Sequence, residues 1–279
     1  ADGGWRVPGW DAAGVVEAVG EQVTRFRPGD RVWYAGDLTR QGSNAEFQAV
    51  DERLVGRMPS SLGFAEAAAL PLTAITAWEL LFDRLQLRDA EGRLLIVGAA
   101  GGVGSIMIQL ARALTRTTVI ATASRSETAD WVTQLGAHHV IDHRRPLAEA
   151  LRDAGIASVT HAASLTHTDH HYPQIVEALA PQGRLGLIDD PAHPLDVLAL
   201  KRKSLSLHWE LMFTRSLYQT ADMAEQGTLL DAVADLVDAG RLRSTLGEHF
   251  GAINAANLRR AHALLESGRA RGKIVLEGF

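Results

Sequence analysis

Three small residues, Ala99, Gly101 and Gly104, come just after the apolar run 94–97 and just before a stretch of helical period, in which Ile106, Ile108, Leu110 and Ala113 stand among Gln109 and Arg112. Strand, tight turn and helix at this spacing make a phosphate-binding turn of the dinucleotide type, with Ala99 in place of the first glycine. One small residue permits the turn, one lets the backbone approach a pyrophosphate, and one lets the helix pack close to the strand. The helix N-terminus adds free N–H groups and the positive end of its dipole. Ala99, Ala100, Gly101, Gly102, Val103 and Gly104 are therefore the expected cofactor loop. A second strand expected at 118–123 completes a βαβ unit. The alternative is a glycine turn with no ligand; the strand before it and the helix after it favour the cofactor loop.

The end of that second strand selects the cofactor. Sites that prefer NAD place a carboxylate there to bind the adenosine ribose hydroxyls. Here the residues are Ala121, Thr122, Ala123, Ser124 and Arg125. Ser124 can donate to a phosphate oxygen and Arg125 supplies a fixed, planar cation. The pair reads as a 2′-phosphate pocket, hence NADPH, with Glu127 facing elsewhere as a first-turn helix residue. The alternative for Arg125 is an ordinary exposed cation after a strand.

Candidates for metal and proton chemistry are few. The chain has no cysteine, which excludes disulfides, thiolate zinc ligands and a cysteine nucleophile. His167, His170 and His171 with Asp169 are the remaining zinc candidates, His167 and His171 being four apart. A polar loop at a helix start, with Asp169 near the cap, is the better reading. His138 and His139 read as strand-edge residues. Tyr34, at the end of an expected strand, is the phenol candidate for proton donation. Asn44, in a Gly-Ser-Asn turn, is the candidate to hydrogen-bond a substrate oxygen. Their alternatives are a strand-end aromatic and a turn former.

These residues need a frame of ordinary elements. The chain has 279 residues, of which 46% are hydrophobic, enough for one large or two ordinary domains. A net charge of −5 without a long basic run favours neither nucleic acid nor an anionic membrane surface. No apolar run of membrane-spanning length and no secretory signal are evident, so a cytoplasmic protein is expected. The first 60 residues predict short strands at 13–19, 31–34 and 45–50. Residues 64–85 are helical, with a break at Pro71. Strands at 93–98, 118–123, 138–141, 157–162 and 183–189 then alternate with helices at 103–114, 126–135, 147–153 and 170–180. That alternation predicts a parallel sheet covered on both faces, an α/β fold. A further strand is expected at 204–209, helices at 222–239 and 254–267, and a closing strand at 273–276. The split is a β-rich domain, 1–72 with 220–279, around a nucleotide-binding domain at 73–219.

Six stretches resemble the medium-chain dehydrogenase/reductase superfamily, in the order that family has them. They are GWDAAGVVEAVG at 9–20, RPGDRVW at 27–33, EAAALPLTAITAW at 66–78, AAGGVGSIMIQLAR at 99–112, LGAHHVIDHR at 135–144 and GRARGKIVLEG at 268–278. The fourth is close to the quinone oxidoreductase form of the loop, and zinc-type alcohol dehydrogenase-like proteins are the nearest branch. The resemblance implies a doubly wound Rossmann sheet inserted in a GroES-like β-rich catalytic domain. It also implies that several dozen N-terminal residues of the family precede the first residue here. In its zinc enzymes a Gly-His-Glu triplet opens the first motif and the His binds zinc; here the positions are Gly9, Trp10 and Asp11. No metal is therefore expected. Thr76 occupies the position of the family's threonine near the nicotinamide ring. The strand ends at Ser164, Leu165, Ile188 and Asp189 are expected to line the nicotinamide half, because ligands sit outside strand C-termini in such sheets.

Hydride transfer would then belong to the cofactor. Without zinc as a Lewis acid, the acceptor must take an electron pair readily, as quinones and α,β-unsaturated carbonyls do. The expected function is a zinc-independent, NADPH-dependent reductase of such small molecules. The alternatives are an NADPH-binding crystallin- or sensor-like protein with little turnover, or a zinc-type alcohol dehydrogenase. A homodimer is expected, with the strand at 204–209 extending the sheet across a two-fold axis.

Overall fold

A computed structural model describes residues 5–88 and 91–279. The chain divides into two compact units, Ala1–Ile75 with Met212–Phe279, and Thr76–Leu211. The expected boundaries lay three residues earlier and eight residues later.

In the first unit β1 (Ala12–Val15), β2 (Arg31–Tyr34) and β3 (Val55–Arg57) form an antiparallel sheet with β2 in the centre. Trp33, with no exposed surface, anchors it. The expected strand at 45–50 does not form. Phe47 is 73% exposed, so that run has no face to bury. Its start is instead tied into a turn, where Asn44 donates its backbone N–H to Pro8 O at 3.0 Å. The third strand is β3, which the sequence reading missed. Helix α1 (Phe64–Ala68) follows, and α2 (Pro71–Trp78) continues into a π-helical turn, Glu79–Arg84. The run Phe64–Arg84 does have the length and composition of a membrane span, contrary to expectation. Yet 67% of its most apolar window is buried inside the protein, as in a core helix. Late in the chain, α7 (Thr214–Tyr218), α8 (Glu225–Asp238) and α9 (Ala255–Glu266) belong to the first unit. Asn254 caps α9 by accepting from Asn257 N at 2.9 Å. The closing strand, β11 (Lys273–Val275), pairs in parallel with β10 (Leu246–His249), whose sequence LGEH gives no strand signal.

The second unit is a six-stranded, wholly parallel sheet: β4 (Arg93–Val97), β5 (Thr118–Thr122), β6 (His139–Ile141), β7 (Val159–Ser164), β8 (Leu179–Leu187) and β9 (Ser206–Trp209). The spatial order is β6-β5-β4-β7-β8-β9. Helices α3 (Gly102–Leu114), α4 (Ser126–Gln134), α5 (Leu147–Asp153) and α6 (Thr168–Ala178) connect the strands. The chain builds outward from β4 in one direction, then returns to start again at β7. The strand order therefore reverses between β4 and β7, the switch point outside which such sheets bind ligands. Leu95, Val97, Ile120, Tyr172, Ile175, Leu185 and Leu187 form the core on one face. This is the Rossmann architecture expected.

Candidate functional site

The glycine turn sits at the switch point. β4 ends at Val97, and Gly98 takes a left-handed conformation, φ +82°. Its N–H donates to Thr122 Oγ1 at 3.3 Å, and Gly101 N–H closes the turn on Gly98 O at 3.1 Å. The tight-turn role that spacing assigns to Ala99 thus falls to Gly98, which the sequence reading passed over. A side chain at Gly98 would also meet Thr166 Cγ2 at 2.8 Å. Helix α3 begins at Gly102. At Gly104 a Cβ would stand 2.5 Å from the Cα and O of Ala99. Only glycine lets the helix start lie on the turn. No side chain caps α3 and no acidic residue stands in its first turn. Its leading N–H groups and dipole are left for an anion.

At the neighbouring strand end, Ala123 N–H pairs with Ile141 O at 3.0 Å, bringing the ends of β5 and β6 together. Ser124 and Arg125 are half-buried there, and no carboxylate stands between Ala121 and Arg125. Arg125 is the extended N-cap residue of α4, and its carbonyl accepts from Thr128 Oγ1 at 2.9 Å. Glu127 is exposed on the first turn of α4. Asp142, at the end of β6, is bound by Arg144 through contacts of 2.6–3.1 Å, which hold its carboxyl down to about 2. The carboxylate that follows Ile141 on this edge is thus engaged by Arg144.

On the other side of the switch point, Leu165 N–H donates to Val97 O at 3.1 Å. Two expected cofactor contacts are otherwise engaged. The Ser164 hydroxyl is fully buried and bonds Thr168 Oγ1 at 2.8 Å. The Asp189 carboxylate accepts from Thr168 N at 3.0 Å and from Thr168 Oγ1. Asp189 thus holds the N-terminus of α6, and its side chain is spent on a helix end that offers a backbone donor and a hydroxyl at once. Ile188 remains half-exposed, and Thr76 is buried, 4% exposed.

His167, in a left-handed conformation, precedes α6, and Asp169 accepts from Ala192 N and His193 N at 2.6 and 3.2 Å. His171 stacks edge-on with His170 and His143, centroids 4.8 and 5.9 Å apart. Burial pushes the His171 imidazole down to about 4, helped by its histidine neighbours. Among the described residues no three His, Asp or Glu side chains converge as a metal site.

In the first unit, Tyr34 and Asn44 line a cavity of about 960 Å³ together with Val15, Gln48, Phe64 and Phe279. The Tyr34 hydroxyl donates to Gln48 Oε1 at 2.9 Å, and burial pushes the phenol up to about 12. Trp10 and Asp11 occupy the positions of the zinc motif. Asp11 accepts from Leu72 N at 2.7 Å and from Lys273 Nζ at 2.6 Å. A carboxylate neutralised by an ammonium, beside an indole, does not fit a zinc ion, and Lys273 supplies the positive charge instead. Lys273 was legible in the sequence only as a strand residue.

Residues 2–78 match the model of the alcohol dehydrogenase GroES-like domain, and residues 135–276 that of zinc-binding dehydrogenases. The chain is 39% identical over 276 residues to a zinc-type alcohol dehydrogenase-like protein of Staphylococcus aureus strain MSSA476, covering 97% of this chain and 82% of the relative. Among solved structures it is 58% identical to a Rhizobium etli CFN 42 protein provisionally described as a zinc-dependent alcohol dehydrogenase, with a TM-score of 0.96 over 100% of this chain and 82% of the other. It is 27% identical to the quinone oxidoreductase of Pseudomonas syringae pv. Tomato DC3000, with a TM-score of 0.81 over 98% and 84%.

Proposed function

The chain belongs to the medium-chain dehydrogenase/reductase superfamily of oxidoreductases, and we propose that within it the protein is a zinc-independent, NADPH-dependent reductase of quinones or α,β-unsaturated carbonyls. When bound, the cofactor supplies the hydride. The Gly98–Gly104 turn and the N-terminus of α3 would hold the pyrophosphate. Ser124 and Arg125 would hold the 2′-phosphate. Leu165, Ile188 and Thr76 would line the nicotinamide half. Tyr34 would donate a proton to the reduced oxygen and Asn44 would hydrogen-bond it.

The observation that supports zinc independence is Trp10 in the place of the motif's zinc-binding His, with Asp11 beside it held by Lys273 at 2.6 Å. An acceptor reduced without a Lewis acid must delocalise the incoming electron pair, which selects quinones and enones over plain ketones. The likeness to a quinone oxidoreductase supports the same class. Among the described residues no strand pairs with the outer side of β9, which supports a homodimer.

The test is a titration followed by turnover. NADPH is expected to bind at least tenfold tighter than NADH, about 1.4 kcal/mol, and Arg125→Ala is expected to erase the difference. A panel of quinones and enones should stimulate NADPH oxidation by chelator-washed protein. Equal binding of the two cofactors defeats the NADPH assignment. Stoichiometric zinc after washing defeats zinc independence, and tight binding without oxidation by any acceptor favours a binding protein instead.

A further inference from the structure

Within the second unit the π-helical turn Glu79–Arg84 lies against the ends of β8 and β9. Its Leu80 packs onto Gly186 of β8 so closely that a Cβ there would meet Leu80 Cδ1 at 2.5 Å. The turn is closed by i→i+5 bonds such as Leu85 N to Leu80 O at 2.9 Å. Glu210, the residue after β9, donates its N–H to Leu187 O at 2.9 Å and so fastens the end of β9 to the end of β8. Two acids are buried between these elements: Glu79 is 1% exposed and Glu210 is 3% exposed. Arg84 Nε stands 2.8 Å from Glu210 Oε2. Among the described residues neither buried carboxylate oxygen of Glu210 accepts a well-directed hydrogen bond. The carboxyl of Glu79 also meets the Glu210 side chain.

Two ionised carboxylates are both acceptors and cannot bond to one another, so the contact requires a proton. A proton on the pair spares the site one of two like charges that would otherwise be buried side by side. We propose that Glu79 and Glu210 share one proton and, with Arg84, act as a positioning device. The device ties the helix that carries Thr76, three residues before Glu79, to the ends of β8 and β9. The proposal rests on the reading of those strand ends as the nicotinamide half of the site. Asp83 on the same turn also acts on Glu210, and Arg84 in turn acts on His208 of β9 together with Arg184 of β8. Asp83 disfavours ionisation of Glu210. Burial, with Arg184 and Arg84, keeps His208 below the ordinary imidazole value. Burial likewise holds the Glu210 carboxyl above the usual carboxylate range. π-helical turns recur at functional sites because the extra residue redirects side chains, and here it turns an acid inward.

The experiment is infrared spectroscopy of the full chain, with NADPH titrations from pH 6 to pH 9. The wild type should show the C=O stretch of a protonated carboxylic acid that disappears in Glu79→Gln and in Glu210→Gln. It should also bind NADPH progressively more weakly as the shared proton is lost at alkaline pH. Glu79→Leu, which removes the bond, should weaken NADPH binding at least tenfold, and Glu79→Gln, a permanent neutral donor, should recover most of that loss and flatten the pH profile. An unchanged infrared spectrum in both Gln variants overturns the shared proton. NADPH affinity unaffected by Glu79→Leu overturns the positioning role. A wild type that binds no NADPH refutes the cofactor reading and the positioning role built on it, while the infrared band still decides the shared proton. If Glu79→Leu does not fold, the pH profiles of the two Gln variants decide: profiles identical to the wild type overturn the proposal.

Discussion

At the scale of single residues, Gly104 does more than any other position in the turn. Its missing side chain lets α3 begin directly on Ala99, and a methyl group has no direction in which to escape, because the obstructing atoms are backbone. Gly104→Ala is expected to cost about 1–3 kcal/mol, the range for overpacking a filled site. It should also weaken NADPH binding at least tenfold by lifting the helix N-terminus off the turn. Thermal unfolding and cofactor titration measure the two losses; a variant that is destabilised yet binds normally would separate the turn from the cofactor. Two buried histidines make a second prediction. His161 and His171 are both held down to about 4, in each case chiefly by burial. Their folded values lie below the ordinary 6.5, so the stability they contribute is fully present above pH 6.5 and is lost as pH falls through about 4. The melting temperature should drop across that window, and His171→Gln should reduce the slope. An identical slope in the variant removes His171 from the account.

At the scale of elements, α6 shows how a loop-end carboxylate can be claimed by a helix. Strand-end acids in such sheets are natural candidates for ligand contacts, and Asp189 has the position for it. The start of α6 follows a left-handed residue, His167, whose side chain makes no cap. The Thr168 N–H and hydroxyl therefore take Asp189 as their acceptor. Asp189→Ala should destabilise the protein by about 1–2 kcal/mol, the worth of a strong cap. NADPH affinity should change less than threefold. Denaturant unfolding and titration test this, and a tenfold loss of affinity at unchanged stability would restore Asp189 to the cofactor site. The third strand of the first unit gives the converse lesson. The 45–50 run has strand-forming residues but no partner face. The less distinctive Val55–Arg57 pairs with β2 because Val55 and the helix-contacting side of the strand can be buried.

At the scale of the whole molecule, β9 is the outer strand of the six-stranded sheet, and the segment around it exposes Trp209 (49%) and Leu211 (50%). A strand edge with no partner among the described residues, beside exposed apolar side chains, is a surface that invites pairing. A homodimer built on it should show about twice the 30.1 kDa chain mass in light scattering. Trp209→Glu with Leu211→Asp should yield the monomer; a monomeric wild type would rule the assembly out.

The sequence by itself determined the βα alternation, the glycine turn and the absence of a carboxylate at the end of β5. Each of these is local: period, turn chemistry and residue type at a strand end are properties of a few consecutive residues. The missing thiols belong to the same class. What only the tertiary structure decided are partnerships between distant residues. Lys273 meets Asp11 across 262 positions of chain, Asp189 turns to Thr168, and Glu210 meets Glu79 and Arg84. Gly98 rather than Ala99 makes the tight turn because the backbone there is left-handed and a side chain would meet Thr166, which lies beyond β7. A buried polar group must find its partner somewhere, and burial is a property of the assembled fold, which no stretch of sequence contains alone.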